Sequence, residues 1–491
     1  MRPDFEQDAE AFSSALNLEH YLHGAGLKPR LDLRGIFDQY RRLSDVETFL
    51  EIRGVEMPES LGEKYRRFLL DFVASSYLEN GVSELSERIA EAEATVILTW
   101  EDRQVAYRSV PVTLANLGEG GRRHTLDQIW RSAVAQLNGL RQERVERMDA
   151  LVDDLGELDY VDLWDDLRGL GLENLSVQML LLLTTTEDLY RDHFLRLITP
   201  FELDFESIWK ADLGWVFRGA QYDLSFSAER LLPVLHATLR NLGFALEDQH
   251  NIRLDLESRP MKSSRAFCAP ISIPRDVRLV LKPIGGRLDY ETLLHEAGHA
   301  EHFANVDPTL PFGYRRLGDN AVTEGYAFLL QYLTTDERWL RRHVELESEA
   351  YIQLGLINKL YMLRRYATKI LYEVELHRTT DDIESMQERY VDLFSRNLRV
   401  QYFPEEYLAD LDDAFYAAQY VRAWMFEAQL RGYLKREFDE EWFRAPGSGK
   451  FLTDLWREGQ KYTVDELVRF MGYDDLSIDP LLGEIRDVLG R

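Results

Sequence analysis

Apolar residues recur at three- and four-residue spacing through most of this chain. Tyr65, Phe68, Leu69, Phe72 and Val73 form one such stripe. Leu346, Ala350, Leu354, Ile357, Leu360 and Tyr361 form another. This is the period of an amphipathic helix with one buried face. Proline (15) and glycine (30) are scarce among the 491 residues, so long stretches run without a breaker. The pattern predicts a mainly α protein. Two stretches depart from it. From Ala94 to Val112, Thr95, Ile97 and Thr99 and then Val105, Tyr107 and Val110 alternate, predicting a hairpin that turns near Glu101 and Asp102. From Arg265 to Leu281 the pattern predicts a strand over Phe267 to Ile273, a turn at Pro274-Arg275-Asp276 and a strand over Val277 to Leu281. Pro270 cannot donate to a ladder, so the first strand should lie at a sheet edge. Asp289 is then placed to N-cap the next helix, with Glu291 in its first turn.

A chain of 491 residues exceeds one ordinary hydrophobic core, which predicts two lobes, although no low-complexity linker marks a border. Carboxylates outnumber Lys and Arg by 28 (86 against 58). A chain this acidic repels phosphate backbones and anionic lipid, and its basic pairs, such as Arg341 and Arg342, sit among acids, so neither nucleic acid nor membrane is an expected partner. The single cysteine, Cys268, excludes an internal disulfide framework and a thiolate metal cluster, and reads as a small packed residue. The acidic start, Met1 to Ser14, has no apolar core of a leader, and no apolar run is long enough to span a bilayer. A reduced, cytoplasmic setting is the expectation.

The helix after the second strand pair carries His295-Glu296-Ala297-Gly298-His299. Histidines at i and i+4 share one helical face and can reach one Zn²⁺, while the glutamate beside the first can take a proton from an activated water. A third ligand is needed. Glu301, Asp307, Asp319 and Glu324 follow, and Glu301 is too close on the same helix to fold back. Glu324 lies near the start of a second helix that Asn320 could cap, after a loop with Pro308, Pro311, Gly313 and Gly318 that lets the chain reverse. An antiparallel helix delivering a glutamate suits a His₂Glu site; the alternative is one more surface acid among 86.

The stretch Asp289 to Phe328 resembles the thimet oligopeptidase and oligoendopeptidase F family of zinc peptidases. Its pattern, HExGHxxH, is met by His295 through His302, and Glu324 follows His299 by 25 residues, the spacing expected of that family. The resemblance implies His295, His299 and Glu324 as ligands of one zinc per chain, Glu296 as base, and His302 as a residue that orients the site. It implies a helical body of two lobes around a substrate channel, with the small edge sheet beside the motif helix. The lobes would be a helical 1–255 and a catalytic 256–491. The strand region Ser263 to Leu281 matches the edge strand that lines the family's cleft and pairs with an extended peptide. Asp413 to Tyr420 resembles the family's tyrosine-rich segment, which implies Tyr416 and Tyr420 as donors to the oxyanion. Leu411 and Ala423 stand where the family has a further histidine and tyrosine, so the oxyanion site departs from its pattern.

The expected activity is hydrolysis of internal bonds in short peptides by a cytoplasmic zinc metalloendopeptidase. Two rivals remain. One is a metallocarboxypeptidase resembling the carboxypeptidase Taq family, which needs a cation for the terminal carboxylate; Arg422 is a candidate by position. The other is a non-catalytic helical scaffold with a structural metal site, against which Glu296 speaks, since a structural site needs no base.

Overall fold

A computed structural model of the chain describes residues 4–156, 159–259, 261–263, 266–379 and 382–490. It is mainly helical with a small β component, as the periodicity predicts. Tyr65, Leu69 and Val73 are fully buried along the 34-residue helix Gly62–Thr95. Leu360, Leu363, Ala367 and Ile370 are fully buried along Glu349–Arg378. Leu346 precedes that helix rather than joining its stripe.

The chain forms two compact units. One gathers Met1–Ala74, Ala220–Ile352 and Gln419–Ile485; the other gathers Ser75–Gly219, Gln353–Ala418 and Arg486–Arg491. A single border at residue 255 was expected from the sequence. Four of the divisions instead fall inside the helices Gly62–Thr95, Glu349–Arg378, Tyr416–Phe438 and Asp479–Leu489, and the fifth falls at Gly219 between two helical elements.

In the second unit, β1 (Ile97–Trp100) and β2 (Arg103–Ala106) pair antiparallel. Glu101 and Asp102 both take positive φ (48° and 58°), the tight turn whose twist suits a two-residue hairpin. Beyond Ala106 the expected strand gives way: Tyr107–Ser109 is a 3₁₀ turn and Val110–Asn116 a helix. Tyr107 and Val110 are nonetheless buried, with Leu98, Trp100 and Leu126.

In the first unit, β3 (Ile252–Asp255), β4 (Phe267–Ser272) and β5 (Asp276–Val280) form a sheet in the order β3-β5-β4. β4 is an edge strand, antiparallel to β5, and contains Pro270 as expected. Arg265, the start of the stretch read from sequence, lies outside the described residues. Helix Phe5–Gly24 packs on one face of β4, where Tyr21 meets Ala269 and Ile271. Asp289 does not cap the helix Arg287–Asn305, which begins two residues earlier behind Gly286. Its Oδ2 instead accepts the N–H groups of Ile284 (2.7 Å) and Gly285 (2.8 Å), fixing the loop that enters the helix. No helix of the described residues is long and apolar enough to cross a membrane.

Candidate metal centre

Two helices of the first unit build the site. The motif helix, Arg287–Asn305, buries Tyr290, Leu293, Leu294, Ala297 and Ala300, which leaves the adjoining face with His295 and Glu296 half-buried. The second helix, Asn320–Gln331, is buried along nearly its whole length, so it is a core element rather than an amphipathic surface one. Its cap is Asp319, whose side chain accepts from the Ala321 N–H (3.0 Å), not Asn320 as expected. Gly298 sets how closely the two helices meet. A Cβ there would stand 2.6 Å from Ala327 Cα and 2.7 Å from the Tyr326 carbonyl oxygen. Backbone cannot yield to such a contact, so only glycine lets the second helix lie this near. Gly325 plays the same part toward Phe426 on its other side.

That approach brings Glu324 to the two histidines. His295 Nε2 and His299 Nε2 are 3.2 Å apart. Glu324 Oε2 is 3.4 Å from the first and 3.6 Å from the second. These three side chains form a group that could hold a metal ion. Ligands bonded at roughly 2.0–2.1 Å in a tetrahedron stand about 3.3–3.4 Å from one another, which is the spacing of these donors. The far side of each ring is also settled. His295 Nδ1 donates to Gln331 Oε1 (2.9 Å), and His299 Nδ1 bonds Thr323 Oγ1 (2.8 Å). The Gln331 carbonyl oxygen can only accept, so His295 donates through Nδ1 and a neutral ring turns its Nε2 lone pair to the centre; the Thr323 hydroxyl, which can donate or accept, orients the His299 ring. Two ring nitrogens and a carboxylate oxygen at this spacing are held together either by a proton on one imidazole or by a cation between them. The titration of the rings reflects the same field: burial would lower the pKa of His295, yet Glu324 raises it, while His299 is lowered to about 4 by burial against the pull of Glu324.

Glu296 sits beside this group on the same helix. Its Oε2 accepts the backbone N–H of Cys268 on β4 (2.8 Å). Burial raises its pKa to about 7; His295 and the Cys268 N–H oppose the shift, and Glu324 adds to it. A carboxyl poised near neutrality can both take and return a proton. The Cys268 thiol is pushed well up by burial, then by Glu296, as befits a packed residue.

The other residues singled out by sequence fall as follows. His302 is fully buried, and its Nε2 donates to the Gly459 carbonyl (3.2 Å) while its ring packs on Phe303 and Tyr326. The hydrogen-bond partners of the His295 and His299 rings are Gln331 and Thr323 instead. Thr323 precedes Glu324 and Gln331 follows it by seven residues, two helical turns, a spacing that could have flagged Gln331. Glu301 is buried away from the centre, accepting from Gln249 (2.7 Å) and Asn305 (3.2 Å). The Tyr420 ring packs against Phe328 and Trp424, and Phe328 packs edge-on against His295. Tyr416 begins the helix Tyr416–Phe438 within the second unit. Arg422 is buried and committed: its Nη2 donates to Asp319 (3.3 Å) and Asp465 (2.5 Å).

No family model matches the chain, and no curated protein matches it.

Proposed function

We propose that this chain is a zinc metallopeptidase that hydrolyses internal bonds of short peptides, as the thimet oligopeptidase and oligoendopeptidase F family it resembles does. The observation that carries this reading is the convergence of His295, His299 and Glu324 at tetrahedral spacing, with Glu296 half-buried alongside. Two nitrogens and one oxygen without sulfur form the donor set of a catalytic rather than a structural zinc site. When bound, the ion supplies Lewis acidity toward a water and the scissile carbonyl.

The chain's residues perform the rest. Gln331 accepts from His295 Nδ1 and so selects the tautomer that presents Nε2, and the Thr323 hydroxyl orients the His299 ring. Glu296 takes a proton from the attacking water through a carboxylate oxygen. The water oxygen bonds to the carbonyl carbon, the C–N bond breaks, and Glu296 returns the proton to the leaving amine. The Cys268 N–H keeps the carboxylate turned toward β4. Tyr420, in the same unit as the three donors, is the proposed donor to the oxyanion. Arg422, being paired with Asp319 and Asp465, is not the cation a carboxypeptidase would need.

The test is a library of quenched, end-blocked peptides assayed with and without chelator, together with elemental analysis of the protein and of His295→Ala. The expected result is cleavage that chelation abolishes and zinc restores, and one zinc per chain lost in the variant. Cleavage indifferent to chelator, or equal metal in both proteins, would overturn the proposal.

A further inference from the structure

On the strand edge that also anchors Glu296, one cation stands out. Arg316 ends the short helix Phe312–Arg316, and its Nη1 donates to the Pro270 carbonyl oxygen on β4 (3.0 Å). Among the described residues this is its one hydrogen bond, and it has no ion pair. Its neighbour Arg315 is bound twice to Glu10, at 2.9 Å each time, and Arg278 and Arg422 are paired as well. In a chain with 28 more carboxylates than Lys and Arg, a half-buried arginine left without a carboxylate is conspicuous.

Its position gives it meaning. Cys268 pairs with Leu279 and Pro270 with Val277, so both face the same side of the ladder. The Cys268 N–H leaves the outer edge of β4 toward Glu296, and the Pro270 C=O leaves it toward Arg316. The base and the guanidinium are therefore anchored to the same strand edge, at residues two apart, whose Cα atoms lie about 6.4–6.8 Å apart along the strand. With those two groups occupied and no N–H on Pro270, this part of the edge offers little for an ordinary backbone ladder. What it offers is charge. Burial lowers the Arg316 pKa to about 10, Glu10 opposing and Arg315 adding to the shift, so the group stays cationic at neutral pH.

Resting on the peptidase reading above, we propose that Arg316 binds a carboxylate of the substrate one to two residues from the scissile bond. A guanidinium fork matches a carboxylate in geometry, and a partly desolvated cation gains most from such a partner. The carboxylate is the side chain of Asp or Glu in a bond cleaved internally, or the free C-terminus, in which case the same site also removes one or two residues from the end of the peptide.

The experiment compares zinc-loaded wild type, Arg316→Gln and Arg316→Lys on matched N-acetylated peptides: one with a free C-terminus, one amidated, and amidated versions with Glu placed at each position in turn. Wild type should favour a carboxylate-bearing peptide by about tenfold or more in kcat/KM, mostly through KM. Arg316→Gln should erase that preference, and Arg316→Lys should keep part of it. A gain with the free acid identifies the terminus as the source; a gain with an internal Glu identifies a side chain. Equal treatment of acid and amide by wild type, or a preference that survives in Arg316→Gln, would overturn the proposal. Arg316→Lys holds the test open should Arg316→Gln not fold. Absence of any cleavage counts against the peptidase reading alone. Calorimetric binding of the same peptides to zinc-loaded Glu296→Gln, with and without Arg316→Gln, then decides Arg316 by the same preference.

Discussion

Each unit of the molecule buries a cluster of charged and polar side chains, and the two clusters are built on opposite principles. In the second unit, Lys369 contacts Asp412 (2.8 Å), Asp410 (3.6 Å) and Glu373 (3.9 Å), Arg365 also bonds Asp410, and Lys210 bonds Glu406 (2.7 Å). Burial would raise the pKa of Asp410, but Arg365, Lys369 and Lys210 outweigh it and hold the carboxyl below its usual range. Glu373, which burial raises well above its usual range, accepts the Asp412 N–H. Every charge there has its counter-charge in the chain. In the first unit, His295, His299 and Glu324 each bring one donor atom within 4.8 Å of the others, a group that could hold a metal ion. The first arrangement pairs its acids with lysine and arginine of the chain. The second sets its acid against two imidazoles, whose charge depends on their protonation. The contrast separates acids held by permanent cations from one held by titratable, metal-capable groups.

The sharpest way to break the comparison is at the base. Glu296→Gln keeps the shape and the donor set but cannot accept a proton. Turnover should fall by about 10²–10⁴-fold with metal content unchanged. Retained turnover would remove Glu296 from the chemistry and leave the first cluster no more functional than the second.

The two clusters should also answer differently to loss of a member. Lys369→Met strands buried carboxylates and should cost about 3–5 kcal/mol in a denaturant titration, with zinc still bound. Glu324→Ala should release zinc, yet change the stability of the metal-free protein by no more than about 1 kcal/mol. If Glu324→Ala proved the costlier of the two without metal, the first cluster would be structural after all. Gly298→Ala lies between these cases. Its methyl would meet Ala327 and Tyr326 backbone, so it should cost about 1–3 kcal/mol and weaken metal binding by moving Glu324 outward. A variant with wild-type stability and zinc affinity would show that the helices part freely.

The sequence carried the part of this contrast that is written in short spacing. His295, Glu296 and His299 are one helical turn of one motif, and Glu324 was legible from its distance and from the breaker-rich loop before it. The edge strand showed itself through Pro270, and the hairpin through alternation up to Ala106. What was not legible depends on tertiary partners. Asp289 and Asn320 both sit where caps are expected, but Gly286 and Asp319 hold those positions because loop hydrogen bonds and the Arg422 and Val464 contacts to Asp319 decide the register. Arg316 looks like any surface arginine until Pro270 is folded against it. The ion-paired cluster was invisible, since Lys210, Lys369 and Asp410 lie far apart in the chain and share no motif. Most unit borders were hidden because they fall within continuous helices.

The smallest expected effect concerns Thr323, a residue that sequence gave no reason to choose. Its hydroxyl fixes the His299 ring through Nδ1, and the ring would otherwise be free to turn about its bond to the helix. Thr323→Val keeps the branch and the volume and removes only that partner. Outer-shell partners of this kind typically contribute 10–100-fold in metal affinity. The lower end, about tenfold, is expected here, because the close packing of Gly298 against Ala327 still restrains the helix pair and Gln331 still orients His295. Competition with a chromophoric chelator would measure it, with Thr323→Ser as the control that restores the hydroxyl. If Thr323→Val bound zinc as tightly as wild type, packing alone would hold His299. The metal-capable cluster would then share with the ion-paired one a geometry set by the fold and not by hydrogen bonds to its ligands.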